Sequence, residues 1–174
     1  MFPSYKKSIL SRPDKSNKGS IDKPIKNLIN TINEDPRYCT TSSCSGRIVL
    51  HQGEKKNEMK FTLISHTKIS PKKIVMQPNL WFRFEPAILH VACDSIESAV
   101  ELLNTARRIF KHSGILSIGN FPVLEIRGSE FIEAPLHEEL ISKLCTAANK
   151  KLLRTHQQIN KLKKEMLNEQ PLSQ

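Results

Sequence analysis

No stretch of this 174-residue sequence approaches the roughly 18 consecutive apolar residues that a membrane-spanning helix needs. The opening segment, Met1-Phe-Pro-Ser-Tyr-Lys-Lys7, has neither a long apolar core nor a small-residue cleavage site, so a cytoplasmic protein is expected. Cysteine is sparse, and Cys39, Cys44, Cys93 and Cys145 lack the paired spacing of a zinc site. They read as reduced thiols, and no metal is expected. None of the six glycines forms a Gly-x-Gly-x-x-Gly turn, which removes the fingerprint of a doubly wound nucleotide-binding fold. One Trp, two Tyr and seven Phe are too few for a single-strand binder that relies on a stacking platform.

Acidic side chains are also in short supply, 17 against 27 Lys and Arg, for a formal net charge of +10. That balance favours an acidic partner, with a nucleic acid or an anionic membrane surface as the main candidates. With 38% hydrophobic side chains the chain can bury one sizeable core. A single domain over residues 1–165, followed by a flexible tail over 166–174, is the expected organisation.

Local patterns predict an α+β fold, a mixed sheet packed with helices and ending in a long C-terminal helix. Residues 4–10 form a short basic helix. Ser20 caps a second one, in which Ile25, Leu28, Ile29 and Ile32 share a stripe and Asp35-Pro36 stops the run. Strands are expected over 48–51 and 59–65 as a hairpin, then over 80–84, 88–93, 115–118 and 123–127. A short helix is expected over 70–76. Asp94 or Ser95 caps a helix over 96–110, and from His137 one long helix carries Leu140, Ile141, Leu144, Ala148, Leu152, Ile159 and Leu162 on its apolar face. Trp81 is expected in the core, although an indole can also stack on a base.

Residues 40–47 read Thr-Thr-Ser-Ser-Cys-Ser-Gly-Arg, just after a predicted helix and directly before Ile48-Val49-Leu50. Ordinary turns share this composition. A core, however, has no use for so many hydroxyls, whereas a loop of short donors with one glycine and one guanidinium can wrap an anionic or zwitterionic ligand. Anchored to a strand, such a loop is held rigidly. On the last helix, Lys150, Lys151, Arg154, Lys161, Lys163 and Lys164 are either a solvated face or a rail for a phosphate backbone.

Five separated blocks together carry a resemblance: Asp14-Lys-Ser-Asn-Lys-Gly-Ser-Ile-Asp22, Tyr38-Cys-Thr-Thr-Ser-Ser-Cys-Ser-Gly-Arg-Ile48, Phe84-Glu-Pro-Ala-Ile-Leu-His-Val91, Lys111-His-Ser-Gly-Ile115 and Glu125-Ile-Arg-Gly128. In order and spacing the chain resembles the tRNA wybutosine-synthesizing protein 3 family, from about Tyr5 to about Leu162. Thr40 stands where archaeal members often carry serine, which keeps the hydroxyl.

The resemblance implies a methyltransferase, not of the Rossmann type, that uses S-adenosylmethionine. Its substrate would be a tricyclic guanosine derivative with an aminocarboxypropyl side chain, beside the anticodon of phenylalanine tRNA, methylated on ring nitrogen N-4. The expected partner is therefore the anticodon stem-loop of tRNA(Phe); monomer and homodimer both stay open. Carried onto this chain, the resemblance implies catalytic roles for Ser43, Cys44, Asp22 and His90. Cofactor contacts fall to Ser42, Ser43, Gly46, Arg47, Ser113 and Gly114, and RNA contacts to Lys18, Arg47, Lys111, Arg127, Lys150, Lys151 and Arg154.

Structural readings stand beside these roles. Asp22 is also placed to cap the second helix, His90 to be a hydrogen-bonded strand histidine beside Glu85, and the glycines to make ordinary turns. His66 ranks below His90 as a strand-end histidine. Two other function classes remain: a non-catalytic basic tRNA-binding module, and a cysteine-nucleophile enzyme built on Cys44 with His90 or His51.

Overall fold

The structure, a computed structural model, describes residues 1–12, 20–53 and 58–169. Asp14 and Lys18 lie outside these. In chain order the elements are α1 (Phe2–Leu10), α2 (Lys23–Glu34), β1 (Tyr38–Cys44), β2 (Arg47–Gln52), β3 (Lys60–Ser65), β4 (Leu80–Glu85), β5 (Ile88–Cys93), α3 (Ile96–Arg107), β6 (Gly114–Ser117), β7 (Val123–Arg127), β8 (Ile132–Pro135) and α4 (Ile141–Glu169). The α+β class and the long C-terminal helix are as expected. In place of one mixed sheet there are two sheets, each antiparallel throughout. The passage β5–α3–β6 creates no parallel pair, because β7 lies between β5 and β6 and is antiparallel to both.

The chain forms two compact units. The first comprises Met1–Ser45, Ala87–Ser129 and His156–Gln174 and holds the sheet β1-β5-β7-β6. Strand alternation gives β5 and β7 one apolar face, Leu89, Val91, Leu124 and Ile126, all fully buried. The stripe Ile25, Leu28, Ile29 and Ile32 of α2 joins that core, with Ala99, Leu102 and Ala106 of α3 and Ile159, Leu162 and Met166 of α4. On the opposite face Phe2, Tyr5 and Ile9 of α1 pack with Phe121 over Cys39 and Ala92. Phe2 meets Phe121 edge-on at 5.1 Å.

The second unit comprises Gly46–Pro86 and Glu130–Thr155 and holds the sheet β3-β2-β4-β8. Ile48, Leu50, Phe82 and Phe84 face a core completed by Ile69, Leu80, Leu136, Cys145, Ala148 and Leu152. Along β4, buried Leu80, Phe82 and Phe84 alternate with half-buried Trp81, Arg83 and Glu85. Trp81 is thus on the face away from the core, stacked at 10° to His51 with ring centres 6.4 Å apart. The core expectation for Trp81 fails because period-two alternation from Phe82 and Phe84 forces it outward. At the end of the first hairpin, Gly53 has φ +88, and a Cβ there would lie 2.5 Å from the Glu58 carbonyl oxygen, so only glycine fits.

Other differences are local. Ser95, rather than Asp94, caps α3 through the Ser98 amide. The helix expected over 70–76 shrinks to one turn, Pro71–Lys73. Strand β8 had no strong alternating signal; it forms by pairing with β4, with Phe84 opposite Ile132. Among the described residues no helix is long and apolar enough to cross a membrane.

Candidate functional site

The hydroxyl-rich segment is strand, not loop, as far as Cys44. Strand pairing overrides its turn-like composition, because β1 is an edge strand whose backbone bonds to β5 on one side. The pairing is not regular. Thr40 lies opposite Val91 and Ser42 opposite His90, so Thr41 is the extra residue of a β-bulge. Its hydroxyl donates to the His90 carbonyl at 3.3 Å.

That single inserted residue decides which side chains meet. Thr40, before the bulge, points with Val91 toward α2, and its hydroxyl and amide are bound by the Asn33 side chain, both at 2.8 Å. After the bulge Ser42 shares the face of His90, and Ser43 shares that of Leu89. Without the bulge the assignments would be reversed. Ser42 Oγ lies 3.0 Å from His90 Nδ1, and His90 Nε2 lies 3.2 Å from Glu125 Oε2 on β7. A carboxylate only accepts, so Nε2 carries a proton; in the neutral imidazole Nδ1 then offers its lone pair and the Ser42 hydroxyl donates to it. The three side chains form one row across β1, β5 and β7, with Gly114 of β6 next in line opposite Glu125.

This row is partly open, with His90 32% and Glu125 18% exposed. Nothing stands within 4 Å of where a Gly114 Cβ would be. Arg127 lies two residues beyond Glu125 on the same strand face, exposed and without an ion-pair partner among the described residues. Cys44 pairs with Ile88 on the same face as Ser42 and is half-buried. Ser43 is exposed on the other face.

Asp22 is buried at the N-cap of α2, yet its side chain makes no cap bond there. Instead it accepts from the Ser45 amide and hydroxyl. The expected cap at Ser20 is likewise absent, since α2 begins only at Lys23. Ser113 is buried, and its hydroxyl donates to the Phe110 carbonyl at 2.6 Å while accepting from the Arg127 amide at 3.3 Å. Its side chain therefore closes the turn into β6. Lys111 is exposed.

In the second unit Gly46 has φ +91, a left-handed conformation that suits glycine, and its carbonyl accepts from His66 Nδ1 at 3.1 Å. Arg47 donates through Nε to Glu85 at 2.6 Å, so it is Arg47, not His90, that stands beside Glu85. Glu85 also faces Arg83 at 3.6 Å, and Arg83 pairs with Glu133. Lys150 is exposed, whereas Lys151 and Arg154 both bind Glu130, at 3.1 and 2.7 Å.

The remaining thiols are unsuited to nucleophilic work. Burial pushes Cys39 and Cys145 upward in pKa and Cys93 up to about 12, so all three are protonated near neutrality. Sequence reasoning passed over Glu125 and Ser45, which lay inside the resembling blocks without a role. Aligning the alternation of residues 88–93 with that of 123–127 would have set His90 against Glu125.

The family described as Methyltransferase TYW3 matches residues 4–169. A protein of Thermococcus sibiricus named tRNA(Phe) 7-((3-amino-3-carboxypropyl)-4-demethylwyosine(37)-N(4))-methyltransferase is 36% identical, over 92% of this chain and 91% of its own length. The tRNA wybutosine-synthesizing protein 3 homolog of Danio rerio is 33% identical over 78% of this chain, which spans 59% of that protein. Among solved structures, the PH1069 protein of Pyrococcus horikoshii superposes with a TM-score of 0.85 at 30% identity, covering 95% of each chain. With nearly its whole length matched, this chain belongs to the Methyltransferase TYW3 family.

Proposed function

We propose that the protein transfers a methyl group from S-adenosylmethionine to ring nitrogen N-4 of 7-(aminocarboxypropyl)-demethylwyosine in tRNA(Phe), a step of wybutosine synthesis. The family match over residues 4–169 carries this reading, together with a relative whose name states that methyl acceptor and that nitrogen. The bulged Ser42–His90–Glu125 row supports it with chemistry of the right kind. When bound, the sulfonium donor supplies an electrophilic methyl group.

The donor set suits a zwitterionic ligand. Arg127 offers a guanidinium without an ion-pair partner among the described residues for a carboxylate, Ser42 and Ser43 offer hydroxyls, and Gly114 leaves room for close approach. Gly46 and Arg47 belong to the second unit, where Arg47 donates to Glu85 through Nε, and their cofactor role rests on the family resemblance alone. Ser113 would act only by shaping the turn that presents Gly114, its hydroxyl, amide and carbonyl all being engaged. His90 is the base, reached through Ser42, and Asp22 and Cys44 line the strand end. Lys18, Lys111, Lys150, Lys151 and Arg154 would bind phosphates of the anticodon stem-loop, while Arg127, expected among them, is given to the carboxylate of the donor.

The test is incubation with methyl-labelled S-adenosylmethionine and phenylalanine tRNA from cells blocked at this step, with fully modified tRNA as control. Label confined to the blocked tRNA is expected. Tight tRNA binding without label would overturn the reading in favour of a binding module.

A further inference from the structure

We propose that Glu125 is a positioning residue for methyl transfer, fixing the protonation state and orientation of His90 so that Nδ1 receives the proton leaving the substrate nitrogen through Ser42. This rests on the methyltransferase reading above.

The placement is specified by the sheet. His90 and Glu125 are register partners on β5 and β7, and the flanking residues Leu89, Val91, Leu124 and Ile126 are fully buried on the opposite face. A slip of β7 by one residue would turn Leu124 and Ile126 out of the core that Leu89 and Val91 still face, so the pairing of His90 with Glu125 is strongly fixed. Glu125 also has a choice of partner that it does not take. In a chain with ten excess positive charges, its one ion-pair partner among the described residues is the imidazole, although Arg127 lies two residues away on the same face. A carboxylate kept for surface charge balance would be expected on the guanidinium.

The chemistry balances. The substrate N–H proton passes to Ser42 Oγ as the Ser42 proton passes to His90 Nδ1. The N–H electron pair stays on nitrogen and forms the new N–C bond, while the C–S pair of the sulfonium donor leaves with sulfur as a thioether. His90 ends as an imidazolium whose Nε2–H bond to Glu125 becomes charge-assisted, and it returns its proton to solvent.

The experiment compares wild type, Glu125→Gln and Glu125→Ala, reading the His90 tautomer by imidazole nitrogen NMR and the steady-state kinetics on blocked tRNA. His90→Gln assigns the signal. Wild type should show protonated Nε2 and bare Nδ1. Glu125→Gln keeps an acceptor and should keep that tautomer with a partial loss of kcat. Glu125→Ala should mix the tautomers and lower kcat by about 10- to 100-fold with KM for tRNA unchanged. A proton on Nδ1 in wild type, an unchanged tautomer in Glu125→Ala, or a loss confined to KM would each overturn the proposal. If Glu125→Ala does not fold, an unchanged kcat in Glu125→Gln overturns it and a reduced kcat with intact tautomer upholds it. If wild type transfers no methyl group the functional reading fails and the catalytic proposal falls with it, while the NMR separately reports whether Glu125 sets the tautomer.

Discussion

Asp22 Oδ2 holds Ser45 twice, by its amide at 3.2 Å and its hydroxyl at 3.1 Å. The carboxylate stands where a helix cap is normally spent on the first-turn amides, and Ser45 is fully buried. Two of its hydrogen bonds thus go to the last hydroxyl residue of the hydroxyl-rich run, beyond β1, and none caps α2. Such a bond is costly to break, because the Ser45 amide then stays buried without a partner.

Asp22→Ala should lower stability by about 1–3 kcal/mol in urea denaturation, the cost of an orphaned buried donor. Asp22→Asn retains a carbonyl acceptor and should cost less than about 1 kcal/mol. If the carboxylate has the catalytic role that the resemblance implies, Asn will fold normally yet transfer methyl slowly. Normal turnover in a stable Asp22→Asn enzyme would reduce Asp22 to a tether for Ser45.

The buried thiols contribute to a loss of stability at alkaline pH. Cys93 is raised to about 12, chiefly by burial and further by Asp94, and Cys39 and Cys145 are raised by burial from the model-compound value of 9.0. In the unfolded chain these thiols ionise first, so above about pH 9 the unfolded state binds fewer protons and stability falls with rising pH. The contribution is complete below that pH and is lost as pH rises through the folded value. Unfolding under reducing conditions between pH 8 and 12 should show this decline, with a shallower slope in Cys93→Ala. An unchanged slope in that variant would reject the assignment to Cys93. Native-state alkylation at neutral pH should also spare Cys39, Cys93 and Cys145 until the protein is unfolded.

Much of this was legible beforehand because it rests on local periodicity. The stripe of α2, a strand over 80–84 and a cap at Asp94 or Ser95 each follow from a few neighbouring residues, and each forms, the cap at Ser95. What escaped was set by pairing between distant segments. Residues 40–44 look like a turn by composition, but β5 supplies a partner and makes them a strand. The bulge at Thr41 has no sequence mark of its own, yet it exchanges the faces of Ser42 and Ser43 and so selects which hydroxyl meets His90. The sequence allows Asp22 to be either cap or site residue, and the fold turns its oxygen to Ser45. Glu125 was visible as a residue and silent as a partner, since its role depends on the register of β7 against β5.

The basic residues of α4 divide into two kinds, and tRNA binding should distinguish them. Lys150 is exposed, while Lys151 and Arg154 converge on the single carboxylate of Glu130. Each cation that contacts a phosphate releases counterions, so its removal should lower the slope of log Kd against log salt by about 0.7–0.9. Lys150→Ala should show that full decrement. Lys151→Ala and Arg154→Ala should show less, because Glu130 already neutralises part of their charge. Glu130→Gln frees both cations and should therefore tighten tRNA binding at low salt and steepen the slope, an effect that vanishes when Lys151 and Arg154 are also replaced. Fluorescence anisotropy of labelled tRNA over a potassium chloride series measures all of these. Identical slopes in wild type, Lys150→Ala and Glu130→Gln would mean that this stretch of α4 is a solvated face and that the phosphate contacts lie elsewhere on the chain.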